Sequence, residues 1–297
     1  MKRLLAFAIG LLAAMIIAAR GDDLIIDARL TMLDVFVEDP EGHPVLDLTS
    51  GDFEIIESGQ NKLIEHFSLE REPVALGILV DRSSSINPFR KEIDRAAAQV
   101  LEKFDARDQS FLITFAGTNS MNVPLTNRHK DVLNSLRKAE SSYGTRFYDA
   151  IFDSLTYLAT AEADRKALVI FTDGADHYSA RSFEDVLEAA RSYGYPIYLF
   201  GYVGEDSRNW TMQGRGQIEA EFGQLAGLTN GKAIFPGKGV NCSRIAADIV
   251  GAVGYAYKIG FLNGSRFGVP ADLRVQLRGD RFKGFRLRFI PATEKIS

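Results

Sequence analysis

A chain of 297 residues with 46% hydrophobic and 25% charged residues can hold one large domain or two small ones, and it is too apolar to be disordered or fibrous. Its 39 acidic against 35 basic residues give a net charge of −4, which argues against general binding to a polyanion such as nucleic acid. A single cysteine, Cys242, excludes an intramolecular disulfide, so the fold rests on its core.

At the N-terminus, Lys2-Arg3 precede an apolar stretch from Leu4 to Ala19, and Ala19-Arg20-Gly21 has the small-x-small form of a cleavage site. Residues 1–21 are therefore expected to be a signal peptide, which would place the chain in the periplasm, the cell envelope or the medium. The alternative is an uncleaved anchor, although the apolar stretch, about sixteen residues, is shorter than the ~20 that span a bilayer. Contact with a membrane is expected only if this segment is retained.

Residues 22–71 have the texture of strands. Leu33-Asp34-Val35-Phe36-Val37 alternates, Asp39-Pro40-Glu41-Gly42 reads as a type I turn, and Phe53 to Glu57 and Leu63 to Phe67 read as a hairpin joined through Ser58-Gly59-Gln60-Asn61. From residue 72 to 257, short apolar strands alternate with amphipathic stretches. Strands are expected at Val74–Val80, Phe111–Phe115, Ala167–Thr172, Ile197–Gly201 and Ala233–Pro236. Helices are expected at Lys91–Phe104, Tyr148–Thr160, Phe183–Tyr193, Glu219–Leu228 and Ile245–Tyr257. Alternation of this kind gives a mostly parallel sheet covered on both faces. Residues 258–297 return to strand texture at Lys258–Phe261, Leu273–Leu277 and Phe285–Phe289. Each flank is too short for a stable core of its own, so the two are expected to pack together as one β-sandwich-like domain with the α/β region inserted in it.

The chemistry gathers at strand ends. Asp81-Arg82-Ser83-Ser84-Ser85 follows the first apolar strand, Thr145 lies in Tyr143-Gly144-Thr145-Arg146, and Asp173 ends a second apolar strand before Gly174. Asp81, Ser83, Ser85, Thr145 and Asp173 offer oxygen only, the ligand chemistry of Mg²⁺, Mn²⁺ or Ca²⁺. At the switch point of an open α/β sheet such residues can meet at one cation. Asp-x-Ser-x-Ser, a distant Gly-Thr and a strand-terminal Thr-Asp-Gly together resemble the metal-ion-dependent adhesion site of von Willebrand factor type A domains, over roughly residues 72 to 257. The resemblance implies a doubly wound, mostly parallel sheet and a cation that binds an Asp or Glu carboxylate of a partner protein. Leu48 to Glu54 is similar to a stretch in exported bacterial proteins of this type.

Other chemistries fit less well. A haloacid-dehalogenase-like phosphatase needs a second acid where Ser83 stands, the segment Arg82 to Pro88 has no glycine for a dinucleotide loop, and a serine hydrolase needs a base. Of the four histidines only His177 falls near the site in sequence. The expectation is a non-enzymatic interaction module; a structural scaffold of the envelope, with the cation merely tying loops together, is the alternative, and a hydrolase comes third. His177 with Arg208 and Trp210, in the long loop after Gly201, are candidate partner contacts.

Overall fold

The computed structural model describes residues 29–202, 212–237, 241–263 and 272–291. The expected signal peptide and the candidate contacts Arg208 and Trp210 lie outside the described residues. No described helix is long and apolar enough to cross a membrane.

Six strands build the central sheet: β5 (Val74–Asp81), β6 (Gln109–Phe115), β7 (Asn119–Thr126), β8 (Arg165–Thr172), β9 (Ile197–Gly201) and β10 (Lys232–Ile234). Their order is β10-β9-β8-β5-β6-β7, parallel throughout except for β7. Every residue of β5 is buried, because helices cover both faces of a parallel sheet and leave no side for polar residues. One face carries α1 (Arg90–Leu101), α2 (His129–Lys138) and α6 (Cys242–Gly254). The other carries α3 (Phe147–Leu158), α4 (Phe183–Tyr193) and α5 (Met212–Thr229). In α1, Ile93, Ala96, Ala97, Val100 and Leu101 are buried at the spacing of one helical stripe. Full burial of an Ile or Val side chain such as these contributes roughly 1.5–3 kcal/mol.

Helix α6 begins at an Asn241 cap, whose side chain accepts from the Arg244 amide at 3.1 Å. It stops at Gly254 and not at Tyr257, because Tyr255 already belongs to β11 (Tyr255–Asn263). That strand sits between β1 (Arg29–Glu38) and β4 (Ile64–Arg71), with β13 (Arg286–Pro291) on the far edge of β1. A three-stranded sheet of β12 (Arg274–Leu277), β2 (Phe53–Glu57) and β3 (Gln60–Lys62) faces it. Phe53, Ile55 and Val275 from this sheet share a core with Leu33, Val35, Tyr257 and Phe261 from the other.

The hairpin expected between Phe53–Glu57 and Leu63–Phe67 is not formed. Ser58 and Gly59 both take positive φ, 51° and 74°, which makes a two-residue turn and pairs β2 with β3 at once. Strand β4 is thereby released to pair with β11 in the other sheet. Likewise β12 and β13 do not pair with each other; the first joins β2 and the second β1.

Where the small sheets meet the central one, four charges close a ring. Arg165 at the start of β8 pairs with Asp34 of β1 and, through Nε, with Glu72 at 2.8 Å; Lys258 of β11 reaches Asp34 and Glu72, each at 2.7 Å. Charge balances within the ring, as burial of such groups demands. Beside it the loop after β1 rests on α6: His43 Nδ1 lies 2.8 Å from Asp248, and a Cβ on Gly251 would come within 2.7 Å of Pro44.

Candidate functional site

The order of the central sheet puts the winding reversal between β5 and β8, and both leave the core at the same end. Asp81 closes β5 and Asp173 follows β8, so the two carboxylates lie at the switch point, 0% and 3% exposed. Neither makes an ion pair among the described residues. Asp81 is instead held by hydrogen bonds: Oδ1 accepts from the Ser83 amide at 2.7 Å and Oδ2 from the Thr172 hydroxyl at 2.8 Å. Burial, and then the Asp173 carboxylate, push the Asp81 carboxyl up to about 7, against the pull of these bonds. Two buried carboxylates without a cationic side chain fit a site for a divalent ion.

The hydroxyls stand close by. Ser83 Oγ is 3.0 Å from Ser85 Oγ, and Ser83 forms a β-bridge with Ser142, two residues before Gly144. Thr145 is 2% exposed. Ser83, Ser84, Ser85, Tyr143, Gly144, Thr145, His177 and Tyr178 line an open cleft of about 390 Å³ over the switch point. Five oxygen donors, two of them carboxylates, suit Mg²⁺, Mn²⁺ or Ca²⁺ and not a soft metal. Among the described residues no cluster of three His, Cys, Asp or Glu side chains forms an alternative metal centre.

Two loops are fastened to each other by groups that no local motif signals. Asp176 Oδ1 accepts from the amides of Phe147 and Tyr148 at 2.7 and 3.2 Å, capping α3 from another segment. Asp149 in return accepts from the amides of Ala180 and Arg181, each at 3.1 Å. Thr145 O accepts from the amides of both His177 and Tyr178. Gly144 and Gly174 take φ of +87° and +84°, so each loop turns sharply where it passes the site. Asp176, which the sequence offers as an outer-shell acid or a turn residue, holds the loop through the backbone of Phe147 and Tyr148; Thr172 and Asp149 were not among the sequence candidates, and Thr172-Asp173-Gly174 is the one local signal that could have pointed to the first.

His177 lines the cleft, as far as its neighbour Tyr178 does. The other histidines are engaged elsewhere: His129 bonds Ser110 at 2.8 Å near the opposite end of β6, and His66 bonds Ser68 on β4. Cys242 is half-buried and burial pushes its thiol up, an environment for an inert side chain.

The sequence model of the von Willebrand factor type A domain matches residues 76–225. The chain belongs to this family. No curated protein matches it. Among solved structures, the fold is similar to that of an aerotolerance-related membrane protein from Bacteroides fragilis, at 20% identity over 60% of this chain and 96% of that one, with a TM-score of 0.47. BatB from Bacteroides thetaiotaomicron shows 18% identity, 60% and 96% coverage and a TM-score of 0.47. The vWF domain of the type V pili tip protein Mfa5 from Porphyromonas gingivalis shows 12% identity, 61% and 94% coverage and a TM-score of 0.47. At these identities the likeness is one of fold alone. Proteins of the A-domain type mediate protein interactions or adhesion.

Proposed function

We propose that this chain is an exported interaction module whose A domain binds a divalent cation, Mg²⁺ in the first instance with Mn²⁺ or Ca²⁺ as alternatives, and through it an Asp or Glu of a partner protein. Asp81, Ser83, Ser85, Thr145 and Asp173 would hold the ion. The observation that carries this reading is the pair of buried carboxylates, Asp81 and Asp173, at an open cleft lined with hydroxyls. When bound, the cation supplies an electrophilic position that a carboxylate oxygen can take. The Ser83 amide and Thr172 hydroxyl aim Asp81, and Asp176 and the His177 amide fix the loop that presents Thr145.

In the same reading, both ends of the chain form one β-sandwich-like unit and the A domain is an insertion between β4 and β11. The segment Lys2 to Gly21 supports export. A scaffold in which the ion merely ties loops together is less favoured, because Asp149 and Asp176 already tie them.

Calorimetry with Mg²⁺ on the full chain tests the proposal. Wild type should bind, and Asp173→Ala should bind at least ten-fold more weakly with an unchanged circular dichroism spectrum. Equal affinity in the two would sink the assignment. Pull-down from the envelope with and without chelator, comparing wild type with Asp81→Ala, then tests whether partner capture depends on the same residues.

A further inference from the structure

Among the described residues, the only exposed Phe or Tyr residues both stand on the cleft: Tyr143 is 79% and Tyr178 53% exposed, with ring centroids 6.4 Å apart. An aromatic ring left in water adds nothing to the stability of the chain that carries it. These two are nonetheless fixed from behind. The Tyr178 ring covers Gly144 so closely that a Cβ there would lie 2.8 Å from it, and the Tyr178 amide donates to Thr145 O at 3.1 Å. Tyr143 O would meet a Cβ on Gly117 at 2.5 Å, and the preceding Ser142 amide donates to Arg82 O at 2.9 Å. Arg82 itself is buried and anchored to Asp94 at 2.6 Å. The backbone that presents the two rings is thus preorganised, so a partner docking on them would order side chains and not loops.

The charge around the cleft narrows what can dock. Its lining offers hydroxyls, backbone, an imidazole and two phenol rings, with no Asp, Glu, Lys or Arg among them. A partner carboxylate therefore finds one complement, the cation in the site. Further acids on the same segment would find no second cation on the lining, and basic groups would find no carboxylate. The surface adjoining that single charge is aromatic.

We propose that the Tyr143–Tyr178 wall selects partner loops in which a lone Asp or Glu is flanked by an aromatic or large apolar side chain. The inference rests on the cation-binding reading above and adds the chemistry of the residue next to the acid. Aromatic side chains in this setting act as binding anchors.

The probes are three N-acetylated, amidated tetrapeptides, Gly-Phe-Asp-Gly, Gly-Ser-Asp-Gly and Gly-Asp-Asp-Gly, titrated into the full Mg²⁺-loaded chain and followed by amide NMR. Contact of one ring with an aromatic wall is expected to tighten binding of the Phe peptide roughly three- to ten-fold over the Ser peptide, with the Asp-Asp peptide no tighter than the Ser one. Tyr143→Ser should abolish the preference while calorimetric Mg²⁺ affinity stays within about two-fold, since the exposed ring is not among the proposed ligands of the ion. Tyr178→Phe should retain the preference. Equal binding of the Phe and Ser peptides, tighter binding of the Asp-Asp peptide, a preference that survives Tyr143→Ser combined with Tyr178→Ser, or no peptide binding at all with Mg²⁺ bound would each overturn the inference alone. Failure of Mg²⁺ to bind the wild-type chain would overturn the cation reading and this inference with it.

Discussion

The Thr172 hydroxyl donates to Asp81 Oδ2 at 2.8 Å, joining the ends of β5 and β8 across the point where the sheet reverses its winding. The same hydroxyl accepts from the Gly174 amide at 3.0 Å, so one threonine sets both the aim of Asp81 and the turn that carries Asp173. Thr172→Val keeps the shape of the side chain and removes both bonds. It should weaken Mg²⁺ binding several-fold and cost about 1–3 kcal/mol of stability, the penalty for leaving a buried acceptor unmet. Calorimetry and urea unfolding of the variant check the two effects separately; unchanged Mg²⁺ affinity would remove Thr172 from the site.

The raised Asp81 carboxyl gives a pH dependence with a definite sign. Its ordinary value is 3.8, and in the metal-free fold it is about 7, so between these values the folded chain holds a proton that the unfolded chain has released. Metal-free protein should therefore lose stability from this group as pH rises from about 4 to about 7. Saturating Mg²⁺ should flatten that slope, and Mg²⁺ affinity should rise over the same window with release of a proton. Thermal unfolding from pH 4 to 8, with and without Mg²⁺, and with Asp81→Asn as the control that lacks the titration, measures each of these.

The ring at the junction is largely buried. Arg165→Met leaves the Asp34 and Glu72 oxygens that faced the guanidinium without it, and should destabilise the chain by about 3–5 kcal/mol. Arg128→Ala, which breaks the exposed pair with Asp131, should cost about 0–1 kcal/mol. Chemical denaturation of the two variants side by side is the measurement. Similar losses would mean that the ring is as well solvated as the surface pair. Lys258 is also pulled in two directions: burial lowers its pKa, but hydrogen bonds and attraction from Asp34 and Glu72 outweigh this and leave it raised. Its share of stability should hold below its ordinary 10.5 and fade in stronger base.

Residues 72–254 contain the whole central sheet and its six helices, and should unfold cooperatively when prepared alone. Residues 29–71 contain β1 to β4 without β11, the strand that lies between β1 and β4, and should be disordered alone. Dispersed amide signals from the isolated 29–71 segment would contradict this.

Much of this arrangement is readable along the chain, for reasons that differ by element. Strands β5 and β8 are unbroken apolar runs because they are buried on both faces, and the oxygen donors follow them at once. Helix α4 announces itself by Ser182, which caps it, and Gly194, which ends it in a left-handed turn. Strand β7 gives no such sign: it is an antiparallel edge, polar, and carries Pro124, which only an edge tolerates. Strand β3 is three polar residues whose place is set by the backbone of Ser58 and Gly59. Helix α5 begins at Met212, ahead of the expected Glu219, because Gly214 and Gly216 dilute its pattern. The support from Asp176 and Asp149 is invisible locally, since each bonds backbone about thirty residues away and only the fold brings them together.

The cleft and the small sheets lie at opposite ends of β5: β4 ends at Arg71, three residues before Val74 opens the strand, and Asp81 closes it. A pull exerted by a partner on the cleft, and resisted at the small sheets, would run along about 26 Å of β5. That strand is bonded in parallel to β6 on one side and β8 on the other, residue by residue over its length. Such a load runs through one covalent strand that is braced by a ladder on either side. Tension between the two ends of the A domain would thus fall on its most deeply buried strand and leave the ladders beside it in register.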